Sequence, residues 1–254
     1  MILTVDIGNS NIVVGAFEED ALLFSARLHT LKNKLAEEYA IDLRNLFVLH
    51  GALGKIEGAI LSSVVPALAA EWQAAIRSVC GLEPIVVGPG IRTGLNIRID
   101  NPAQLGTDIL ADDVGAFAAF PAPVMVFDLG TSTTISVVDE GRNILGCAIM
   151  PGVRLSLDAL SAKAAQLPEI SLEAPKNIIG TNTLDSMRAG VIFGTASMMD
   201  GMIERVSEWL GKTPAVVATG GMSEYIVPHC KHTIHFDPIL QLHGLLILYK
   251  KNSK

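Results

Sequence analysis

The chain has 254 residues, half of them hydrophobic, enough for a large core in one or two domains. A formal net charge of −7 at pH 7 and a pI near 5.3 lack the basic footprint of a nucleic-acid binder. Mean hydropathy is +0.42, yet no uninterrupted apolar run of about 18 residues occurs, so no membrane span is expected.

Residues 2–6, 11–18 and 21–28 read as three consecutive strands, with Glu19 and Asp20 as a tight polar turn. Residues 35–49 carry Leu35, Tyr39, Leu43 and Leu46 at helical spacing. A short buried strand follows at 58–62, and Pro66 suits the first turn of a helix reaching about residue 79. Strands are expected at 82–87 and 96–99, and a helix from about Asp108 to 120, on which Asp112 and Asp113 read as exposed charges. Strands at 124–129, 133–138 and 144–150 repeat the three-strand opening, and a helix follows at 154–164. The Pro-interrupted stretch 167–175 reads as a loop or short helix. The longest helix runs from 183 to 210, with Thr183 as N-cap, Asp185 in its first turn and Gly211 at its end. A strand at 215–218 leads into Thr219-Gly220-Gly221, and a terminal helix covers 240–250, its basic end complementing its dipole. The order is that of an α/β protein.

Two stretches carry the same device. Asp6-Ile7-Gly8-Asn9-Ser10-Asn11 and Asp128-Leu129-Gly130-Thr131-Ser132-Thr133 align without a gap at an offset of 122 positions (128 − 6 = 122). Each is an apolar strand delivering a carboxylate, then a glycine turn with small polar side chains. Hydroxyl, amide and backbone N–H groups on such a turn suit phosphate oxygens. Neither a Walker loop nor a dinucleotide fingerprint is present. Because a carboxylate repels phosphate, Asp beside such a clamp implies an intervening cation, for which Mg²⁺ held largely through water is the natural choice. The duplication favours two domains of similar size facing each other, at 1–120 and 121–254.

Asp108, just after Gly106-Thr107 at a helix start, reads either as a cap or as a general base taking a proton from a substrate hydroxyl. Thr219-Gly220-Gly221 would let a flat base or ribose approach the backbone and fits an adenosine site. The spacing of His229, Cys230, His232 and His235 matches no closed zinc pattern, and a polar surface segment is expected there. Cys80, Cys147 and Cys230 form no CxxC pair, and the opening residues lack the order of a secretory signal; a cytoplasmic protein with reduced thiols is expected.

In combination the paired turns resemble the phosphate motifs of the acetate and sugar kinase/Hsp70/actin superfamily. Over nearly the whole length the chain resembles the type III pantothenate kinases, through Arg27 with Thr30, Ser62-Ser63-Val64-Val65-Pro66, Gly106-Thr107-Asp108, Gly146-Cys147-Ala148-Ile149-Met150-Pro151-Gly152, Gly180-Thr181-Asn182-Thr183 and Thr219-Gly220-Gly221. The resemblance implies duplicated ribonuclease H-like domains of the actin/hexokinase type, each a mixed sheet with flanking helices. It implies ATP-dependent phosphorylation of the hydroxyl of pantothenate, the first step toward coenzyme A, in a homodimer. By position, Asp6, Ile7, Gly8, Asn9, Ser10, Asn11, Ile12 and Val13 would hold ATP phosphates with Asp6 near Mg²⁺, and Thr131 would contact ATP. Asp128 would bind a monovalent cation, K⁺ or NH₄⁺. Asp108 would be the base, and Gly106, Thr107, Asp108, Ile109 and Thr183 would line the pantothenate site. Two positions depart from the family: Ile109 stands where Arg is usual, and Ile99 where Tyr is frequent. Arg would offer a fixed positive fork to a carboxylate or phosphoryl group. The departures motivate two alternatives: a kinase of this fold with another small hydroxyl acceptor, or a non-catalytic nucleotide-binding regulator.

Overall fold

The computed structural model describes residues 1–164 and 166–253; Ala165 and Lys254, both within the expected second domain, lie outside the described residues. The strands are β1 (Ile2–Ile7), β2 (Asn11–Glu18), β3 (Ala21–His29), β4 (Gly58–Ser63), β5 (Ile85–Val86), β6 (Asn96–Ile97), β7 (Val124–Leu129), β8 (Ser132–Val138), β9 (Asn143–Pro151), β10 (Ala215–Thr219) and β11 (His235–Phe236). The α-helices are α1 (Ala36–Leu49), α2 (Pro66–Cys80), α3 (Thr107–Ala119), α4 (Val153–Lys163), α5 (Thr183–Leu210), α6 (Ser223–Ile226) and α7 (Leu240–Asn252). The stretch expected as a strand at 82–87 pairs only over Ile85–Val86.

The chain forms two compact units, Met1–Ala118 with Leu240–Lys254, and Ala119–Ile239. In the first, the sheet order is β3-β2-β1-β4-β5, with β1 antiparallel to β2 and parallel to β4. Alternate residues Leu3, Val5 and Ile7 of β1 and Ile12, Val14 and Ala16 of β2 face one core. Tyr39, Leu43 and Phe47 of α1 and Leu68, Trp72 and Ile76 of α2, each set at helical spacing, close over them. In the second unit the order β9-β8-β7-β10-β11 repeats that arrangement strand for strand. Its core packs Met125, Phe127 and Leu129 against Ile192, Ala196, Met199 and Ile203 of α5.

The terminal helix corrects the expected division at residue 120. Although α7 follows β11 in sequence, it belongs to the first unit. Glycines make the room. A Cβ on Gly15 would lie 2.8 Å from Leu242 Cδ1, one on Gly58 would lie 1.9 Å from the Tyr249 hydroxyl, and one on Gly115 would lie 2.6 Å from the Leu240 carbonyl oxygen. Gly244 in turn abuts the Ala111 carbonyl, where a Cβ would come within 1.8 Å of the oxygen. Asn252 fixes the far end, donating to the Arg92 carbonyl and accepting from the Arg92 N–H, both at 2.9 Å. Asp112 and Asp113 of α3 are buried, not exposed as expected.

Gly244→Ala places a methyl group against backbone that cannot yield, and is expected to lower stability by about 1–3 kcal/mol or more. Gly201→Ala, in α5 with open space at its Cβ, is expected to raise it by roughly 0.5–1 kcal/mol. Urea unfolding of both variants checks the opposite signs.

Candidate active site

In the first unit, strand register builds the site. Asp6 lies opposite Val13 on β2 and Ser62 on β4, so the carboxylate and the Ser62 hydroxyl share one face at the sheet's edge. Asp6 is 6 % exposed. The turn from Gly8 to Asn11 is closed by a hydrogen bond from the Gly8 N–H to the Asn11 carbonyl at 3.0 Å. Thr30, just past the end of β3, holds it: its hydroxyl donates to the Gly8 carbonyl at 2.8 Å and its N–H to the Ser10 carbonyl at 3.1 Å. Two oxygens that would repel phosphate are thereby engaged elsewhere. The sequence showed Thr30 only as part of a resemblance, because its partners are backbone atoms 20 residues or more away.

The Ser62 hydroxyl donates to Thr107 Oγ1 at 3.0 Å, which ties the start of α3 to the strand beside Asp6. The next residue is Asp108. Its Oδ1 accepts the Ile109 N–H at 2.8 Å, and a Cβ on Gly106 would stand 2.3 Å from that same oxygen. Glycine at 106 is therefore the seat of the carboxylate. Burial pushes the Asp108 carboxyl above its ordinary value, opposed by the N–H groups of Ile109 and of Asp108 itself. Ile109 is buried at 6 % exposure, and its backbone N–H is taken by the Asp108 carboxylate. Ile99 is half-buried.

The second turn is one residue tighter. Ile7 pairs with Ile12 across four residues, whereas Leu129 pairs with Thr133 across three. The gapless sequence alignment therefore does not carry over to pairing: Thr134, aligned in sequence with Ile12, stands opposite Asp128 as Val13 stands opposite Asp6. On the other side Asp128 pairs with Thr219. A carboxylate between two threonines results, which pattern reading missed because a slip of one residue exchanges the faces. Gly220, at φ +86°, packs on this carboxylate; a Cβ there would lie 2.3 Å from Asp128 Oδ1 and 2.6 Å from the Leu129 carbonyl carbon. The Gly152 N–H donates to the Thr131 carbonyl at 3.2 Å. It stands at the position equivalent to Thr30 and supplies the backbone bond alone, having no hydroxyl to add a second.

Thr183 opens α5, but the N-cap is Asn182, whose side-chain oxygen accepts the Asp185 N–H at 3.0 Å. Thr183 instead lines a cavity of about 790 Å³ in the second unit, with Leu157, Leu160, Leu167, Gly180 and Met187 among its walls. Cys230, His229, His232 and His235 do not converge. His229 meets the Phe193 ring edge-on, His232 approaches Glu204 at 3.5 Å, and His235 lies against Phe120. Among the described residues no group of three or more His, Cys, Asp or Glu could hold a metal by itself.

The sequence profile of the type III pantothenate kinases matches residues 2–205. The chain belongs to the type III pantothenate kinase family. It is 38% identical over 253 residues to the type III pantothenate kinase of Halalkalibacterium halodurans, covering 99% of this chain and 100% of that one. Identity to the enzyme of Moorella thermoacetica is 39% over 254 residues, covering both chains fully. The fold is similar to that of the (R)-2-hydroxyglutaryl-CoA dehydratase component A of Acidaminococcus fermentans, at a TM-score of 0.59 and 14% identity over 100% of this chain and 99% of that one. A type III pantothenate kinase is an ATP-using phosphotransferase of the actin and sugar kinase fold, and the repeated strand order here is that fold's duplication. A divalent ion at this turn would have the single carboxylate of Asp6 and would draw its other ligands from water and substrate phosphate.

A raised carboxyl makes two expectations. If Asp108 works as a base, kcat/KM falls as pH drops through its pKa, so the acid limb of the profile lies above the ordinary Asp value of about 3.9. The folded state also holds this proton more tightly than the unfolded chain, so its contribution to stability is lost as pH rises through the folded pKa. Asp108→Asn is thus expected to raise the urea midpoint at pH 8 while lowering activity; an unchanged or lower midpoint would contradict the burial argument.

Proposed function

We propose that this chain transfers the terminal phosphoryl group of ATP to the primary hydroxyl of pantothenate, forming 4′-phosphopantothenate for coenzyme A synthesis. The observation that supports it most is the seat of Asp108: a partly buried, raised-pKa carboxylate, held by Gly106 and joined through Thr107 and Ser62 to the strand beside Asp6. In this reading Asp108 accepts the hydroxyl proton as the hydroxyl oxygen bonds to the γ-phosphorus. The bond from that phosphorus to the β,γ-bridging oxygen breaks, and ADP leaves. Residues Asp6, Ile7, Gly8, Asn9, Ser10, Asn11, Ile12 and Val13 hold the phosphates, and Thr131 touches ATP. Mg²⁺, when bound near Asp6, would neutralise charge between the carboxylate and the β- and γ-phosphates. Asp128, between Thr134 and Thr219, is the proposed holder of K⁺ or NH₄⁺. Gly106, Thr107, Asp108, Ile109 and Thr183 are the proposed pantothenate contacts. We read the protein as a cytoplasmic homodimer; no helix among the described residues is long and apolar enough to cross a membrane, and the apolar Ile178 and Ile179 are exposed.

A second reading, favoured by the apolar Ile109 and Ile99, is a kinase of the same fold with a different small hydroxyl acceptor. A coupled assay of ADP release with ATP, Mg²⁺ and K⁺, each omitted in turn, separates the two. Pantothenate is expected to support turnover, and Asp108→Asn to lower kcat by about 10²–10⁴-fold. Turnover of another alcohol with none of pantothenate would establish the second reading, and normal turnover by Asp108→Asn would remove the assigned base.

A further inference from the structure

Four residues from four strands of the first sheet share one rung. Arg27 of β3 pairs with Val13 of β2, Val13 with Asp6 of β1, and Asp6 with Ser62 of β4. Residues directly opposite one another in paired strands project to the same face. Burial agrees: Phe24 and Leu28 of β3 pack into the core with Ile7 and Ile12, while Ser25, Arg27 and His29 are exposed on the other face, the face from which the buried Asp6 projects. The helix α7 covers the same face one rung lower, where Leu242 lies against Gly15 opposite Thr4. Neighbouring strands stand about 4.8 Å apart, which puts the Arg27 Cα roughly 10 Å from that of Asp6. That span accommodates a phosphate between an extended guanidinium and a cation on the carboxylate, above the short side chain of Val13.

No carboxylate pairs with the Arg27 guanidinium among the described residues. The second unit makes the placement specific. Its equivalent rung reads Ile149, Thr134, Asp128 and Thr219, so the position matching Arg27 is apolar. The chain sets an arginine on the rung of one strand-end carboxylate and not on that of the other. That one stands next to the Ser62–Thr107 bond leading to Asp108.

We propose that Arg27 binds the terminal phosphate of ATP, supplying from β3 the planar positive fork that position 109 lacks. A guanidinium matches two phosphate oxygens at once, and charge on the γ-phosphoryl group is what the transfer must stabilise. This rests on the kinase reading and assigns its recognition of triphosphate over diphosphate to one side chain.

Calorimetric titration with Mg²⁺ and either ADP or the non-hydrolysable β,γ-imido analogue of ATP tests it without turnover. Arg27→Ala is expected to weaken the analogue by about 10- to 100-fold, the range for a hydrogen bond to a charged group, and ADP by less than about threefold. Arg27→Lys should restore part of the loss, and thermal midpoints should stay unchanged because the side chain is exposed. In the coupled assay kcat should fall by about 10²-fold or more, with the KM for pantothenate within about threefold of wild type. Equal weakening of both nucleotides, or of neither, overturns the proposal. Selective weakening in a protein that phosphorylates no acceptor would uphold Arg27 and reject the kinase reading. Normal wild-type turnover with an unaffected Arg27→Ala would do the reverse, and a wild type that binds no nucleotide would reject both.

Discussion

Parallel pairing of β1 with β4 is the constraint from which the first half of the site follows. It sets Asp6 beside Ser62, and Ser62 hands that position on to Thr107 and so to the start of α3. One covalently remote carboxylate, Asp108, is thereby fixed relative to another without any direct bond between them. Glycine completes the arrangement. At 106 and 220 the absent side chain leaves the volume that a carboxylate oxygen fills; a methyl at 106 would meet the charged group alone, and one at 220 would meet the Leu129 backbone as well.

The two units are copies in strand order and differ where chemistry would differ. Each has its turn held from the strand after next, by Thr30 in one and Gly152 in the other. The second turn has lost one residue, which brings a hydroxyl, Thr134, opposite its carboxylate where the first has Val13. The outer position of the same rung is Arg27 in one unit and Ile149 in the other. One copy thus carries an arginine on the rung of its strand-end carboxylate, and the other carries a threonine on either side of its own.

Much of this was legible in the residues. Alternation of apolar and polar positions gave β1, β2, β7 and β8 within a residue or two, and the glycine turns named Asp6 and Asp128. What escaped depends on partners distant in sequence. Nothing in 240–252 says that this helix returns to the first unit; that follows from the holes at Gly15, Gly58 and Gly115, whose purpose shows only once α7 fills them. Asp112 and Asp113 look solvated by type and yet are buried, which residue type alone does not reveal. Asn182 displaced Thr183 as cap because both residue types suit the position and only backbone geometry chooses between them. A register slip of one residue leaves no trace in an alignment of similar turns.

We propose that the edge built by β1, β2 and β4 receives a metal-bound triphosphate through Asp6. The most direct measurement is the affinity for ATP with and without Mn²⁺, standing in for Mg²⁺, with bound Mn²⁺ counted by electron paramagnetic resonance. Wild type should bind one metal–nucleotide complex per chain, and Asp6→Asn should lose most of the Mn²⁺-dependent gain in affinity. A gain that persists undiminished in Asp6→Asn would place the metal elsewhere and contradict the account.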